Sequence, residues 1–137
     1  KASPTAVLQY GDHGGAIGYL VDNISSHWGQ IVRWEFGTLI VYNEGNGALF
    51  HELELVSLTG RVALGIDPQI STSYSLDGLS WSQDRFIRAG TIGNTKKRLA
   101  WFQQGNMRNW RIQRFRGDSD SHIAFARLEA QIEGLAY

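Results

Sequence analysis

Apolar and polar residues alternate along most of this chain, and residues typical of turns recur about every 8–12 positions. Such alternation places successive side chains on opposite faces of a β-strand. The clearest example is Phe50 to Ser57, where Leu53 and Leu55 share one face, which favours that face as the buried one. Further strand-like segments are residues 16–22, 30–36, 38–42, 70–76, 85–89, 97–102, 110–115 and 122–132. The pattern predicts an all-β chain.

The last of these segments is compatible with two structures. A period of two places Ala124 and Leu128 on one face of a strand, whereas Ser121 and the alanine and glutamate content would also suit a capped helix. We favour a strand because the neighbouring segments are strands. The chain is therefore predicted to be one antiparallel β-sandwich or barrel-like domain over residues 1–137, with about nine strands.

The composition excludes several classes of protein. Hydrophobic residues make up 42% of the 137 residues and aromatic residues 12%, which excludes a disordered chain. Cysteine is absent, so disulfides, thiolate metal sites and cysteine nucleophiles are excluded. No apolar run approaches the ~18 residues of a membrane-spanning helix, and no signal peptide is recognisable. The first residue is Lys1 rather than Met, and we expect a fragment of a longer protein.

The net charge is zero, but the charges are unevenly distributed. Residues 1–84 and 118–137 carry a net negative charge. Residues 85–117 contain nine basic residues and no acidic residue. These are Arg85, Arg88, Lys96, Lys97, Arg98, Arg108, Arg111, Arg114 and Arg116. A DNA-binding module is more often basic overall, so we expect this segment to meet acidic protein surface within or between subunits.

The strands Lys97–Phe102 and Trp110–Arg116 are predicted to be antiparallel neighbours joined by the loop after Phe102. Both faces of the second strand mix apolar and basic side chains, as occurs where an arginine stem packs on an aromatic ring. Arginine and aromatic residues are also enriched at the centres of protein interfaces. The nine basic residues and Trp110 are therefore the candidate interface or are packed in the core, with a platform for single-stranded nucleic acid as the alternative.

A short turn is predicted at Tyr74–Trp81. Ser75 and Asp77 can accept backbone N–H bonds across an Asp77-Gly78 turn, and Trp81 can fold back over it. The pattern looks like the Asp-box hairpin of sialidase-type β-propellers, which usually has one more residue between Asp and Trp. Since that hairpin is structural even in enzymes, we assign Ser75, Asp77, Gly78 and Trp81 a structural role.

No catalytic or metal-binding motif emerges. The four histidines are widely separated, and none of them forms a pair with ligand spacing. Glu52 and Glu54 share one side of a strand and could in principle act as an acid/base pair, but a solvated or subunit-facing stripe explains them better. There is no Gly-x-Ser-x-Gly sequence, and the glycine-rich Gly11–Gly18 is not followed by a helix. We predict a protein without enzymatic activity, cofactor or metal.

The order of motifs resembles a known family of viral proteins. The motifs are Ala48–Leu55, Thr59-Gly60, Asp67-Pro68, Tyr74–Gly78, Trp81-Ser82, Arg85, Gly90, Gly93, Lys97–Trp101, Trp110–Arg116 and Ser119-Asp120. In this order they are similar to the carboxy-terminal part of the packaged-DNA stabilization proteins of lambdoid short-tailed phages, which are tail hubs or tail accessory factors. The resemblance covers about residues 17–137 and is most specific from Phe50 to Asp120.

The resemblance implies a structural virion protein located in the phage tail. Hubs of this family form a hexameric ring below the portal and its adaptor, close the DNA channel together with a tail needle, and help to seat the tailspikes. They act in virion assembly, retention of packaged DNA, DNA ejection and host entry, with DNA only as passing cargo and no membrane partner. The resemblance also implies that part of a β-propeller-like region lies at the N-terminal end. The five tryptophans leave one alternative open, a carbohydrate- or receptor-binding β-sandwich.

Overall fold

The computed structural model describes residues 9–11, 14–15, 17–19, 26–62, 64–117 and 123–137. These residues form strands and no helix, and every strand pair is antiparallel. The strands are β1 (Gln9–Gly11), β2 (Ile17–Tyr19), β3 (Ser26–His27), β4 (Gln30–Ile31), β5 (Trp34–Gly37), β6 (Val41–Tyr42), β7 (Ala48–Leu58), β8 (Gln69–Ser75), β9 (Arg85–Arg88), β10 (Ala100–Phe102), β11 (Asn106–Met107), β12 (Trp110–Gly117) and β13 (Ala124–Gly134).

Two larger sheets build the domain. In the four-stranded sheet, β7 is central, with β13 along one side and β10 and β11 along the other. In the five-stranded sheet, the order is β5-β12-β8-β9, and β6 pairs with the first residues of β12. Two small hairpins, β1-β2 and β3-β4, precede them in the chain. The prediction of an all-β antiparallel fold is confirmed.

The core lies between the two larger sheets. Leu55 and Trp101 of the four-stranded sheet pack against Ile70 and Phe115 of the five-stranded sheet, and all four side chains are buried. Burying an aliphatic or aromatic side chain of this size contributes about 1.5–3 kcal/mol. A second cluster around Phe50 and the buried residues Ala48, Leu53 and Met107 extends the core toward the opposite end of β7. The architecture is that of a β-sandwich.

The two long sides of the sandwich are closed differently. On one side, the Trp101 indole N–H donates to the Arg85 carbonyl at 3.0 Å, and Arg85 Nη1 donates to the carbonyls of Phe102 and Gln103 at 2.8 and 2.9 Å. On the other side, Trp34 of β5 and Phe125 of β13 pack with their ring centroids 4.9 Å apart. Polar bonds to backbone therefore close one side, and aromatic packing closes the other.

A β-bulge in β7 explains why strict alternation fails there. Gln131 pairs with Glu52 and Ile132 pairs with Phe50, so His51 is an extra residue on β7. An extra residue shifts the face on which the following side chains lie. The predicted burial of Leu53 and Leu55 is confirmed, but Phe50, which strict alternation placed on the other face, is buried as well.

The predicted pairing of Lys97–Phe102 with Trp110–Arg116 is wrong. Only Ala100–Phe102 forms a strand, and it pairs with β7, whereas β12 pairs with β5, β6 and β8 in the other sheet. The two strands face each other across the core, where the rings of Trp101 and Phe115 have centroids 5.6 Å apart. Because both rings pack in the interior, the two strands are more stable in opposite sheets than as neighbours in one sheet.

The remaining differences concern element boundaries. The strand prediction for residues 122–132 is confirmed by β13, whereas residues 30–36 are divided between β4 and β5. Of residues 38–42, only Val41–Tyr42 is a strand, and Leu39 and Ile40 are exposed. Of residues 16–22, β2 covers Ile17–Tyr19, and the rest lie outside the described residues, as does most of the expected propeller-like N-terminal part.

Candidate interaction surface

The turn after β8 is held by the two side chains that the sequence singled out. Asp77 Oδ1 accepts the backbone N–H groups of Leu79 and Ser80, each at 2.8 Å. Ser75 Oγ accepts the N–H of Gly78 at 2.8 Å, and Gly78 has a positive φ of 75° that favours glycine. The hydrogen bond from the Ser80 hydroxyl, together with the two backbone N–H groups, holds the pKa of Asp77 well below its ordinary value.

Trp81 has a neighbour that the sequence did not point to. Its ring lies under the Arg114 guanidinium, whose central carbon is 3.9 Å from the ring centroid. The aromatic ring beside the turn is that of Trp110, since a Cβ on Gly78 would lie 3.8 Å from it. The turn is therefore connected to β12 through Trp110, and Trp81 belongs to the outer surface of the sheet.

Three of the nine basic residues of the segment pair with acids of the same chain. Arg88 pairs with Asp67 at 3.3 Å, and Arg116 pairs with Asp84. Arg98 Nη2 donates to Glu52 at 2.7 Å and to Glu54 at 2.6 Å. The prediction that this segment could meet the acidic stripe of Glu52 and Glu54 inside the subunit is thus realised at Arg98.

Arg98 and Glu54 also shift each other's titration. Hydrogen bonds from Arg98 lower the pKa of Glu54, and the bonds to Glu54 raise the pKa of Arg98. The Glu52 and Glu54 carboxylates, which the sequence offered as an acid/base pair, therefore both bind one guanidinium.

Arg111 is a core residue. Its side chain is 0% exposed, and its guanidinium lies between the rings of Phe50 and Tyr74, at 4.2 and 3.8 Å from their centroids. It donates to Gln113 Oε1 at 2.8 and 3.0 Å and to the Gln104 carbonyl at 2.7 Å. Burial lowers its pKa to about 10. Because no part of it reaches the surface, Arg111 cannot be a direct contact residue of the candidate interface.

The outward face of β12 gathers several of the predicted residues. We define the arginine face by Trp81, Trp110, Ile112, Arg114 and Arg116. Strand partners share a face of a sheet, so Arg114 stands beside Ser73, to whose hydroxyl its Nε donates at 3.1 Å. Arg116 stands beside Ser71 on the same face. The arginine face therefore presents basic and aromatic groups above a row of small hydroxyl side chains.

A cleft of about 460 Å³ opens next to the arginine face. Its lining residues are Arg33, Trp34, Glu35, Gln69, Ser71, Asp84, Phe86, Arg116 and Gly117. The Trp34 ring approaches so closely that a Cβ on Gly117 would lie 2.3 Å from it. Sequence reasoning missed this cleft, because its residues come from four strands and from the segments before β5 and β9.

The other candidate residues are dispersed. Arg85 is bound to backbone carbonyls between the sheets, whereas Lys96 and Lys97 are exposed in the loop before β10 and Arg108 in the loop before β12. Among the described residues, the side chains of Lys96, Lys97 and Arg108 have no ion-pair partner. The predicted interface residues therefore differ in their roles. Arg111 is a core residue, three arginines are paired with acids, and Lys96, Lys97 and Arg108 are exposed cations.

Exposed apolar side chains form a feature that charge analysis did not reveal. Leu39 is 91% exposed and Leu79 is 89% exposed, and Tyr42 pairs with Trp110 at the same end of the five-stranded sheet. Leu79 belongs to the Asp77 turn, and Leu39 precedes β6. Two features of the sequence could have indicated this exposed apolar surface: the adjacent apolar residues Leu39 and Ile40, and a leucine inside the Asp77 turn.

His51 Nε2 lies 2.9 Å from Glu133 Oε2. In the described part of the chain, no three or more His, Asp or Glu side chains come together in a group that could hold a metal ion. The described residues also include no helix that is long and apolar enough to cross a bilayer.

A family model described as bacteriophage P22 Gp10, beta-sandwich, matches residues 33–133. The matched range begins one residue before β5 and ends one residue before the end of β13, so it coincides with the two larger sheets. No curated protein matches the chain. The match agrees with the architecture of two stacked antiparallel sheets.

Proposed function

The chain belongs to the bacteriophage P22 Gp10 β-sandwich family, a family of phage tail proteins, and from this premise we propose that it is a structural module of a tail hub. In this proposal the parent protein forms a hexameric ring that closes the portal channel, retains the packaged DNA, and connects the portal adaptor, the tail needle and the tailspikes. The family match is the observation that carries the proposal. The virion tail is its expected location.

The contacts that the basic segment makes within the chain support protein partners over DNA. Three of its arginines pair with carboxylates of the same chain, and Arg111 is buried. Few cations therefore remain for phosphate contacts, and each such contact is needed for salt-dependent DNA affinity. A sparse set of free cations suits a module past which DNA moves.

The arginine face and the exposed leucines Leu39 and Leu79 are the surfaces that we assign to tail partners. Arginine and aromatic side chains at the centre of a patch are typical of interface hot spots. Leu39 and Leu79 are too exposed to stabilise the isolated domain, so their apolar surface is free to be buried by another protein. The two surfaces adjoin at Trp110.

The same residues support the proposal that the module is not an enzyme. The candidate carboxylate pair, Glu52 and Glu54, is held by Arg98, and Asp77 is engaged in turn hydrogen bonds. Ser75 donates to Asp77 and accepts the N–H of Gly78, and it is buried. Each group that the sequence offered for catalysis has a structural partner.

The test is assembly of the full-length parent. Native mass spectrometry and cryo-electron microscopy should show a six-membered ring with this module in it. Arg114→Glu and Leu79→Asp should each impair attachment of tail components, while Arg88→Gln, an exposed arginine outside the arginine face, should not. A monomeric parent, or one that turns over a glycoside substrate, would overturn the proposal.

A further inference from the structure

The cleft beside the arginine face is built from one transverse row of side chains. In the strand register, Phe86 of β9 lies opposite Ser71 of β8, and Ser71 lies opposite Arg116 of β12. Arg116 in turn lies opposite Glu35 of β5. Because cross-strand partners share a face, these four side chains lie in line across the outer side of the sheet. The row reads aromatic ring, hydroxyl, guanidinium and carboxylate.

The row is concave because its second member is small. Ser71 is buried and forms the floor, whereas Phe86 is 62% exposed and rises beside it. Arg116, the strand neighbour on the other side of Ser71, is held by its ion pair with Asp84, which directly precedes β9. A volume of about 460 Å³ lies within the range of about 300–1,000 Å³ that is typical of small-molecule sites.

The lining offers both hydrogen-bond donors and acceptors without a net charge. Arg33 and Arg116 can donate, Glu35 can accept, and Gln69 and Ser71 can do both, whereas Asp84 is engaged by Arg116. Two guanidinium groups and two carboxylates cancel, so neither an anion nor a cation is favoured by charge alone. An exposed aromatic ring adds an apolar surface for a ligand with C–H groups on one face.

We propose that this cleft binds a neutral saccharide of one or two rings. A sugar ring presents hydroxyl groups that both donate and accept, and its C–H face can stack on Phe86. Glu35 would accept from one hydroxyl and Arg33 would donate to another, while the salt bridge to Asp84 keeps Arg116 in place. The lining of the site shares only Arg116 with the arginine face, and the site gives a tail module a means of contacting a glycan surface.

The experiment is a titration of the ¹⁵N-labelled chain with lactose and with N,N′-diacetylchitobiose, followed by amide chemical shifts. We expect at least one of the two disaccharides to bind with a dissociation constant of about 1 mM, which corresponds to about −4.1 kcal/mol. Shifts should centre on Ser71, Phe86 and Arg116. Glucuronic acid at the same concentration should bind no better than the neutral sugars.

Phe86→Ala should weaken binding at least about tenfold, and Glu35→Gln should weaken it less. The matched control is Phe102→Ala, which removes an aromatic ring of similar exposure (55%) from β10 and should leave the affinity unchanged. Absence of shifts with both disaccharides at 50 mM, equal affinity of Phe86→Ala, or preference for glucuronic acid would each overturn the proposal. None of these outcomes bears on ring formation by the parent, so the two proposals can fail separately.

Discussion

The two faces of β12 use the same kinds of residue for opposite purposes. On the inner face, Arg111 is stacked between Phe50 and Tyr74 and bonded to neutral amide and carbonyl oxygens. On the outer face, Arg114 lies over Trp81, and its Nε donates to the Ser73 hydroxyl. Both arginines have aromatic neighbours. Only the outer one remains available to another molecule.

The comparison teaches that burial, and not residue type, decides the role of an arginine in this sheet. The inner guanidinium has lost its water and depends on several fixed partners, so its removal leaves unsatisfied acceptors inside the protein. The outer guanidinium keeps part of its hydration and costs little to remove. The following predictions test that difference, beginning with the largest expected effect.

Arg111→Ala should destabilise the domain by about 3–5 kcal/mol, because it creates a cavity between two rings and leaves the Gln113 and Gln104 oxygens without donors. Equilibrium unfolding in urea, monitored by tryptophan fluorescence, measures the change. Arg111→Met keeps most of the volume and should lose less, about 1–3 kcal/mol. A loss below about 0.5 kcal/mol for Arg111→Ala would contradict the internal role.

Asp77→Ala should lower the melting temperature by a few degrees, since the turn beside Trp110 loses the acceptor of two backbone N–H groups. Circular dichroism during heating measures the shift. Asp77→Asn, which keeps one acceptor oxygen, should fall between wild type and alanine. Equal melting temperatures for all three proteins would show that the turn does not support the outer face.

The same carboxylate predicts a pH dependence of stability. The folded pKa of Asp77 is depressed from its ordinary value of 3.8, so its stabilisation is fully present above that value and is lost as the pH falls toward the folded pKa. The stability advantage of wild type over Asp77→Asn should therefore shrink when the pH is lowered from 6 to 3. Denaturant unfolding at several pH values measures it, and a growing advantage would contradict the sign.

Arg114→Ala should destabilise by only about 0.5–1 kcal/mol, the range of a cation–π contact at an exposed site. A double-mutant cycle with Trp81→Leu should give a coupling energy of the same size. If Arg114→Ala costs as much as Arg111→Ala, the two faces of β12 are not energetically distinct, and the comparison fails.

The smallest effect is expected for the exposed lysines. Lys96→Gln with Lys97→Gln should change stability by less than about 0.5 kcal/mol. The unmodified chain should bind duplex DNA no more tightly than about 10⁻⁴–10⁻⁶ M at physiological salt, and the double variant should reduce the log–log salt slope by at most about 1.8. Submicromolar, steeply salt-dependent binding, measured by fluorescence anisotropy, would show that DNA is a partner.

The turn residues show how far local sequence can predict a site. Ser75, Asp77 and Gly78 act as expected because their bonds reach residues only two or three positions away. The partner of Trp81 was not predictable, since Arg114 is distant in sequence and meets it only across the sheet. The cleft was missed for the same reason: its row of side chains depends on the registers of four strands.

The sequence by itself determined the all-β class and the hydrogen-bonded turn at Asp77, whereas it left residues 122–132 compatible with a strand or a helix. These properties follow from alternation and from short-range hydrogen bonds, which depend on neighbouring residues alone. Only the tertiary structure decided that β10 and β12 lie in opposite sheets, that His51 bulges from β7, and that Arg111 is buried while Arg114 is not. Those outcomes depend on which distant strand supplies the neighbouring side chains, and a strand's own sequence does not specify its partner.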